Sequence, residues 1–175
     1  YTLSLHDALP IYINSSAPDK LQVLEDYEKE AKKSLVSWES FLACVARNNS
    51  DDALEIIRRV EESDSFRVDQ ANDQRALFAV FAGNRKRSLL TKEGRNFLEE
   101  KIIQLSAINE FSTLHMLKVL GNIDLIAAEH QTDLIQVLKN IEEKLDAKKT
   151  PSVANTLKRI LEGSPKGLKL WNDKP

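Results

Sequence analysis

Apolar residues recur along this chain at steps of three and four, and polar clusters interrupt them every ten to twenty residues. Leu21, Leu24, Tyr27 and Ala31 repeat at helical spacing after the Ser/Pro stretch 14–19, where Pro18 suits a first helical turn. Leu35, Trp38, Phe41, Leu42 and Val45 mark a second helix, which Asn48-Asn49 stops. Ser50 reads as the N-cap of a third, with Asp51 and Asp52 at its positive end; Leu54, Ile57 and Val60 line it to about Ser63. Asn72 reads as the cap of a fourth. Its Ala76, Leu77, Val80 and Phe81 cover more than half the circumference, the pattern of a central helix, and Gly83 suits its C′ position. Thr91 and Glu93 open a fifth helix striped by Phe97, Leu98, Ile102 and Leu105. A sixth is expected over 110–120, stopped by Gly121, and a seventh over 127–147 with Leu134, Leu138, Ile141 and Leu145. Ser152 reads as the cap of an eighth, with Val153, Leu157, Ile160 and Leu161 before Gly163.

No segment sustains period-two alternation, so no strand is expected. About eight helices with short connectors imply antiparallel neighbours. The expected fold is all-α, an irregular superhelix of antiparallel helix pairs of the HEAT/armadillo kind. Residues 12–19 read as a linker, 20–163 as the helical domain, and 164–175 as a polar tail whose Leu168, Leu170 and Trp171 can dock a short segment. Glu25/Lys29 and Glu28/Lys32 are i,i+4 pairs that mark a solvated face. No convincing sequence repeat stands out.

Composition narrows the function classes. A chain of 175 residues can bury a core without staples. A net charge of −2 gives no electrostatic reason to expect nucleic acid or an anionic membrane. The longest apolar run, 76–82, falls far short of the ~20 residues of a membrane span. Cys44 is the single cysteine, so no internal disulfide can form; a reducing, cytoplasmic compartment is the expectation.

Candidate chemistry is sparse. His115 and His130 lack Cys or His at ligand spacing, and H-E-x-x-H is absent, so no metal site and no catalytic residue is assigned. Cys44 falls on the apolar side of its helix and reads as a buried, inert thiol. Arg85-Lys86-Arg87 reads as a solvated turn, with a phosphate contact as the sharper alternative. Trp38 belongs with the core stripe, Trp171 is undecided, and His115 reads as a half-exposed helical residue one turn after Phe111.

Residues 1–11, YTLSLHDALPI, resemble throughout the in-frame translation of a universal short-read sequencing adapter. They lack the basic start and longer apolar stretch of a secretory signal. On that resemblance His6 and Asp7 carry no function, and the native sequence is expected to begin near Tyr12 as a fragment cut at its N-terminus.

A second resemblance rests on the order of three stretches: SLVSWESFLACVARNNSDDALEIIRRVEESDSFRV, then NDQRALFAVFAGN, then EGRNFLEEKIIQLSAIN. Their succession between Trp38 and Leu120 is similar to the C-terminal helical domain of the bacterial-type aminopeptidase N (alanyl aminopeptidase) family of zinc metallopeptidases. That resemblance implies a superhelix of antiparallel helices that covers a catalytic zinc domain and narrows substrate access. The zinc and its chemistry would belong to an upstream domain of the same polypeptide, and the partners would be that domain and peptide substrates. No zinc or other cofactor is assigned to this chain, which would be inactive alone. The sequence departs from the family at two places. Thr91-Lys92-Glu93-Gly94-Arg95 replaces an acidic-Gly-Ser-Gly-aromatic turn. Phe111 and His115 replace a Gln and an Arg that face the substrate chamber, which makes them the candidate substrate-chamber contacts. Two alternatives stay open: a stand-alone HEAT/armadillo-like interaction scaffold, and an RNA-binding module using Arg85-Lys86-Arg87.

Overall fold

The computed structural model describes residues 5–173, and every element among them is helical. The chain divides at Asn84/Arg85 into two compact units.

The first unit opens with α1 (Leu5–Ile13), which buries Leu9 and Ile13 and leaves Ile11 in solvent. After a turn through 14–19 come α2 (Lys20–Ala31), α3 (Leu35–Ala46) and α4 (Ala53–Glu61). Helices α2 and α3 pack together, and Leu24, Tyr27 and Ala31 of the first and Phe41, Leu42 and Val45 of the second are buried, as the apolar spacing requires. Phe41 lies between Tyr27 and Trp38, with ring centroids 5.9 and 5.6 Å away. Ser34 caps α3 by accepting from the Ser37 N–H at 3.4 Å.

The fourth expected helix is α5, residues 71–83, but it is not a uniform α-helix. Ala71–Gln74 and Val80–Gly83 are α-helical, and Arg75–Ala79 between them widens into a π turn. The wider turn keeps Leu77 and Phe78 fully buried, Phe78 meeting Phe66 edge-on at 5.4 Å. Asn72 lies inside the first turn and is not the cap. Its amide donates to Glu39 at 2.8 Å. Gly83 does not end the helix in a left-handed turn either, since no described residue has a positive φ. Asn84 ends it, donating to the carbonyls of Ala46 (3.3 Å) and Asn48 (2.9 Å) at the end of α3.

The second unit holds the short α6 (Arg85–Ser88), then α7 (Lys92–Ser106), α8 (Glu110–Leu117) continued by a 3-10 turn (Lys118–Leu120), a further 3-10 turn (Ile123–Leu125), and α9 (Ala128–Lys144), α10 (Pro151–Glu162) and α11 (Pro165–Asn172). Thr91 caps α7, accepting from the Gly94 N–H at 3.0 Å while donating to the Arg87 carbonyl at 2.6 Å. A Cβ on Gly94 would overlap that carbonyl, so only glycine lets α6 and α7 approach this closely. Arg95, nearly buried, donates to the Leu89 carbonyl (2.9 Å) and to Asp133 of α9 (2.6 Å). Asn109 caps α8 through the Ser112 N–H at 3.3 Å.

The last two helices start differently from the sequence expectation. Ser152 does not cap α10 with its hydroxyl. Its own N–H, with that of Val153, donates to Glu110 at 2.8 and 3.0 Å. In the same way the N–H groups of Lys166 and Gly167 donate to Asp124 at 3.0 and 2.9 Å. Two helix N-termini are thus capped by carboxylates from earlier helical segments, which also meet the positive end of each dipole. In the stretch read as a polar tail, α11 docks on α9, and Gly167 is what allows it. An added Cβ there would stand 3.1 Å from Ile135 and 3.2 Å from Ile123.

Candidate functional site

The sequence-predicted site residues Phe111 and His115 occupy the first and second turns of α8. Ser112, Thr113, Met116 and Leu117 form the inner face of this helix and are buried, which sends the intervening Phe111 outward. Phe111 is 63% exposed, an uncommon placement for a phenylalanine. His115, half-buried, meets it edge-on with centroids 4.9 Å apart at 80°. Ile108 in the preceding turn is also exposed. The helix is rigidly held: Thr113 donates to the Asn109 carbonyl at 3.1 Å, and Glu110 is committed to the start of α10. The result is an exposed ring set edge-on to an imidazole, with an apolar neighbour.

The other side chains of interest divide clearly. Cys44 is partly buried and lines a cleft of about 410 Å³ with Tyr27 and Ser40. Burial raises its pKa to about 11, against a smaller opposing pull from Arg47. The thiol is protonated at neutral pH and is a poor nucleophile. Trp38 is buried and donates its indole N–H to Asp73 at 3.2 Å; the other oxygen of Asp73 accepts from the Arg67 N–H at 2.9 Å. This clamp makes Trp38 a core residue. Trp171, undecided from sequence, is half-buried and donates to Gln136 at 2.9 Å, which fastens α11 to α9. His130 stands 3.5 Å from Glu129. Arg85 and Lys86 are exposed on α6, whereas Arg87 is half-buried and its carbonyl is held by Thr91.

Among the described residues no group of three or more His, Cys, Asp or Glu side chains is placed to hold a metal ion. The donor set does not fit a zinc site, and no step through zinc is assigned to this chain. No described helix is long and apolar enough to cross a membrane.

One feature escaped the sequence reading. Between α3 and α5 runs an open groove of about 450 Å³, bordered by Glu39, Arg47, Asn72 and Arg75. Nothing local in the sequence marks it, because its two walls lie roughly thirty residues apart in the chain.

The described elements are all helical and belong to a domain of the armadillo-repeat class. The chain belongs to the DUF3458_C family, described as a domain of unknown function with ARM repeats, whose model matches residues 4–162. The same fold occurs in the crystal structure of Legionella pneumophila aminopeptidase A in complex with aspartic acid. The match has a TM-score of 0.79 at 21% sequence identity, and covers 90% of this chain and 18% of the aminopeptidase chain. The chain thus spans less than a fifth of that protein and resembles its C-terminal ARM-repeat part. No curated protein matches the sequence.

Proposed function

We propose that this chain is the C-terminal, substrate-access-limiting domain of a zinc-dependent aminopeptidase that removes N-terminal residues from peptides. The observation that carries the reading is the correspondence of nearly the whole chain with a small part of one aminopeptidase. The ordered motifs between Trp38 and Leu120 point the same way. Hydrolysis would then be the work of an upstream zinc domain, and this domain would shape the path by which peptides reach it.

Phe111 and His115 are the residues proposed to touch peptide. An exposed ring held edge-on by an imidazole offers an apolar, weakly polar surface in place of the charged and amide groups that the family resemblance implies there. In the intact enzyme, Phe111→Ala and His115→Ala are expected to lower kcat/KM for peptides while leaving the melting temperature unchanged. Unaltered kinetics with several peptides would remove both residues from the site.

The adapter resemblance of residues 1–11 is part of the same proposal: the natural chain carries another sequence where α1 begins. Long-read sequencing of the source DNA through the Tyr12 codon tests both. An in-frame H-E-x-x-H with a downstream Glu supports the enzyme reading. A start codon next to Tyr12 with no peptidase frame before it overturns that reading in favour of a stand-alone scaffold.

A further inference from the structure

In the first unit acidic residues outnumber basic ones, 15 to 9, and the described cations are largely neutralised in place. Lys20 stands 2.6 Å from Asp52, Lys29 3.0 Å from Asp26, Lys32 3.1 Å from Glu28, Lys33 2.7 Å from Glu30 and Arg67 3.3 Å from Asp69, while Arg59 pairs with Glu25. Arg58 is engaged as well. Arg47 and Arg75 have no carboxylate within ion-pair distance among the described residues, despite the acidic excess around them. Both guanidinium groups are exposed, and both border the groove between α3 and α5. Its one acidic wall residue, Glu39, is occupied by the Asn72 amide, whose oxygen in turn accepts from Arg75. Small side chains, Ser40, Ala43 and Ala76, leave the groove open, and Val36 at its rim is 74% exposed. Past Arg47 and Val80 a depression of about 510 Å³ reaches Gly83 and Asn84.

We infer that this groove is the docking site for an acidic segment of the aminopeptidase's own remaining polypeptide, with Arg47 and Arg75 each taking a carboxylate. The inference rests on the proposed function for the identity of the occupant. Guanidinium groups pair with carboxylates through two parallel hydrogen bonds, and they do so best where a partner excludes water. Arginine is enriched at protein interfaces, and an exposed apolar side chain lies beside both here. A long polyanion would meet Glu39 and the acidic excess of the unit. A short segment with two carboxylates meets the two cations alone. The structural match covers 18% of an aminopeptidase, which leaves ample chain to supply it.

The test has two arms. The 15N-labelled 175-residue chain is titrated with a ten-residue blocked peptide carrying two glutamates among alanines and leucines, and with its glutamine counterpart. Arginine side-chain Nε–Hε signals are followed. The glutamate peptide should give saturable shifts at Arg47 and Arg75. The R47Q/R75Q chain, with its helical circular dichroism intact, should bind about tenfold more weakly. A K29Q/K33Q chain should bind like the parent. Shifts spread evenly over all cations, or equal binding by R47Q/R75Q, overturn the proposal. In the intact enzyme the same two substitutions should speed limited proteolysis of this domain several-fold, and unchanged cleavage also overturns it. The outcomes separate cleanly. Failure of the titration with a peptidase frame upstream of Tyr12 sinks the groove alone. A start codon at Tyr12 sinks the enzyme reading and, with it, the named occupant, whatever the peptide does.

Discussion

The two units hold their helix ends by different means. In the first, long side chains reach between elements: the Lys20 ammonium joins the starts of α2 and α4, meeting Asp52 at 2.6 Å and the Ser15 carbonyl at 3.1 Å, and Trp38 reaches Asp73. In the second, carboxylates take the peptide N–H groups of later helices directly. Glu110 serves α10 and Asp124 serves α11, each at separations of 42 and 43 residues. The two caps use one device, a carboxylate from an earlier segment accepting from the first N–H groups of a later helix, and they follow each other closely along the chain. In the first unit a π turn at Arg75–Ala79 interrupts the regular helix, and the groove beside it stays open. The balance of charge differs too, with basic residues outnumbering acidic ones 16 to 12 from Arg85 onward.

The sharpest way to break the comparison is at one glycine. Gly94→Ala puts a methyl into the Arg87 carbonyl and is expected to cost about 3 kcal/mol, seen as a large fall in the denaturation midpoint. Survival of the alanine variant at parental stability would mean that α6 and α7 do not approach as described.

A smaller effect is expected at Lys20. Its side chain is 7% exposed, so Lys20→Met strands Asp52 and is expected to cost about 2 kcal/mol. Burial alone would raise the Asp52 pKa, but hydrogen bonds from Lys20 and Ser50 and the Lys20 charge outweigh it and hold the carboxyl below its usual value. A folded pKa below the unfolded one stabilises the protein above about pH 4, and that stability is lost as pH falls further through the folded pKa. The parent should therefore show an acid decline below about pH 4 that is shallower in Lys20→Met. Parallel curves would remove the pair from the account.

Glu110→Gln and Asp124→Asn test the second unit's caps. Each is expected to cost about 1 kcal/mol, and the double variant about 2, since the two act on separate helix starts. Hydrogen exchange should report the change at Ser152 and Val153 for one variant and at Lys166 and Gly167 for the other. Exchange altered at neither place would undo the assignment of both caps.

The smallest effect has the opposite sign. Gly83 sits in a helical turn with nothing within 4 Å of an added Cβ. Gly83→Ala should stabilise the first unit by about 0.7 kcal/mol, through lower unfolded-state entropy. Destabilisation there would show that the end of α5 is more crowded than it is drawn.

Much of the fold was legible because its signal is local. Tyr27, Phe41 and Phe97 fall on the stripes that a 3.6-residue period draws, and Thr91 announces α7 by chemistry that acts within one turn. The Phe111/His115 pair was found by its position in a resemblance, not by any chemical pattern of its own. Arg47 and Arg75 gave no signal. Only the structure shows that both border one groove and that the surrounding acids are paired elsewhere.

Read alone, the chain settled most of the helical segments between Lys20 and Glu162, since they follow from periodicity over a dozen residues; α1 and α11 lay outside the expected helices, and Leu35, on the expected stripe of α3, is exposed. Of its local capping signals, Ser50 falls two residues before Asp52, where α4 starts, Asn72 lies within its helix, and Ser152 leaves the cap to Glu110. A hydroxyl or amide can cap its own helix, but a better-placed carboxylate or carbonyl from another element can take the same hydrogen bond. That choice depends on which groups meet after the helices pack. Tertiary structure alone decided that Glu110 and Asp124 start the last two helices, that Trp171 rests on Gln136, and that two arginines border an open groove.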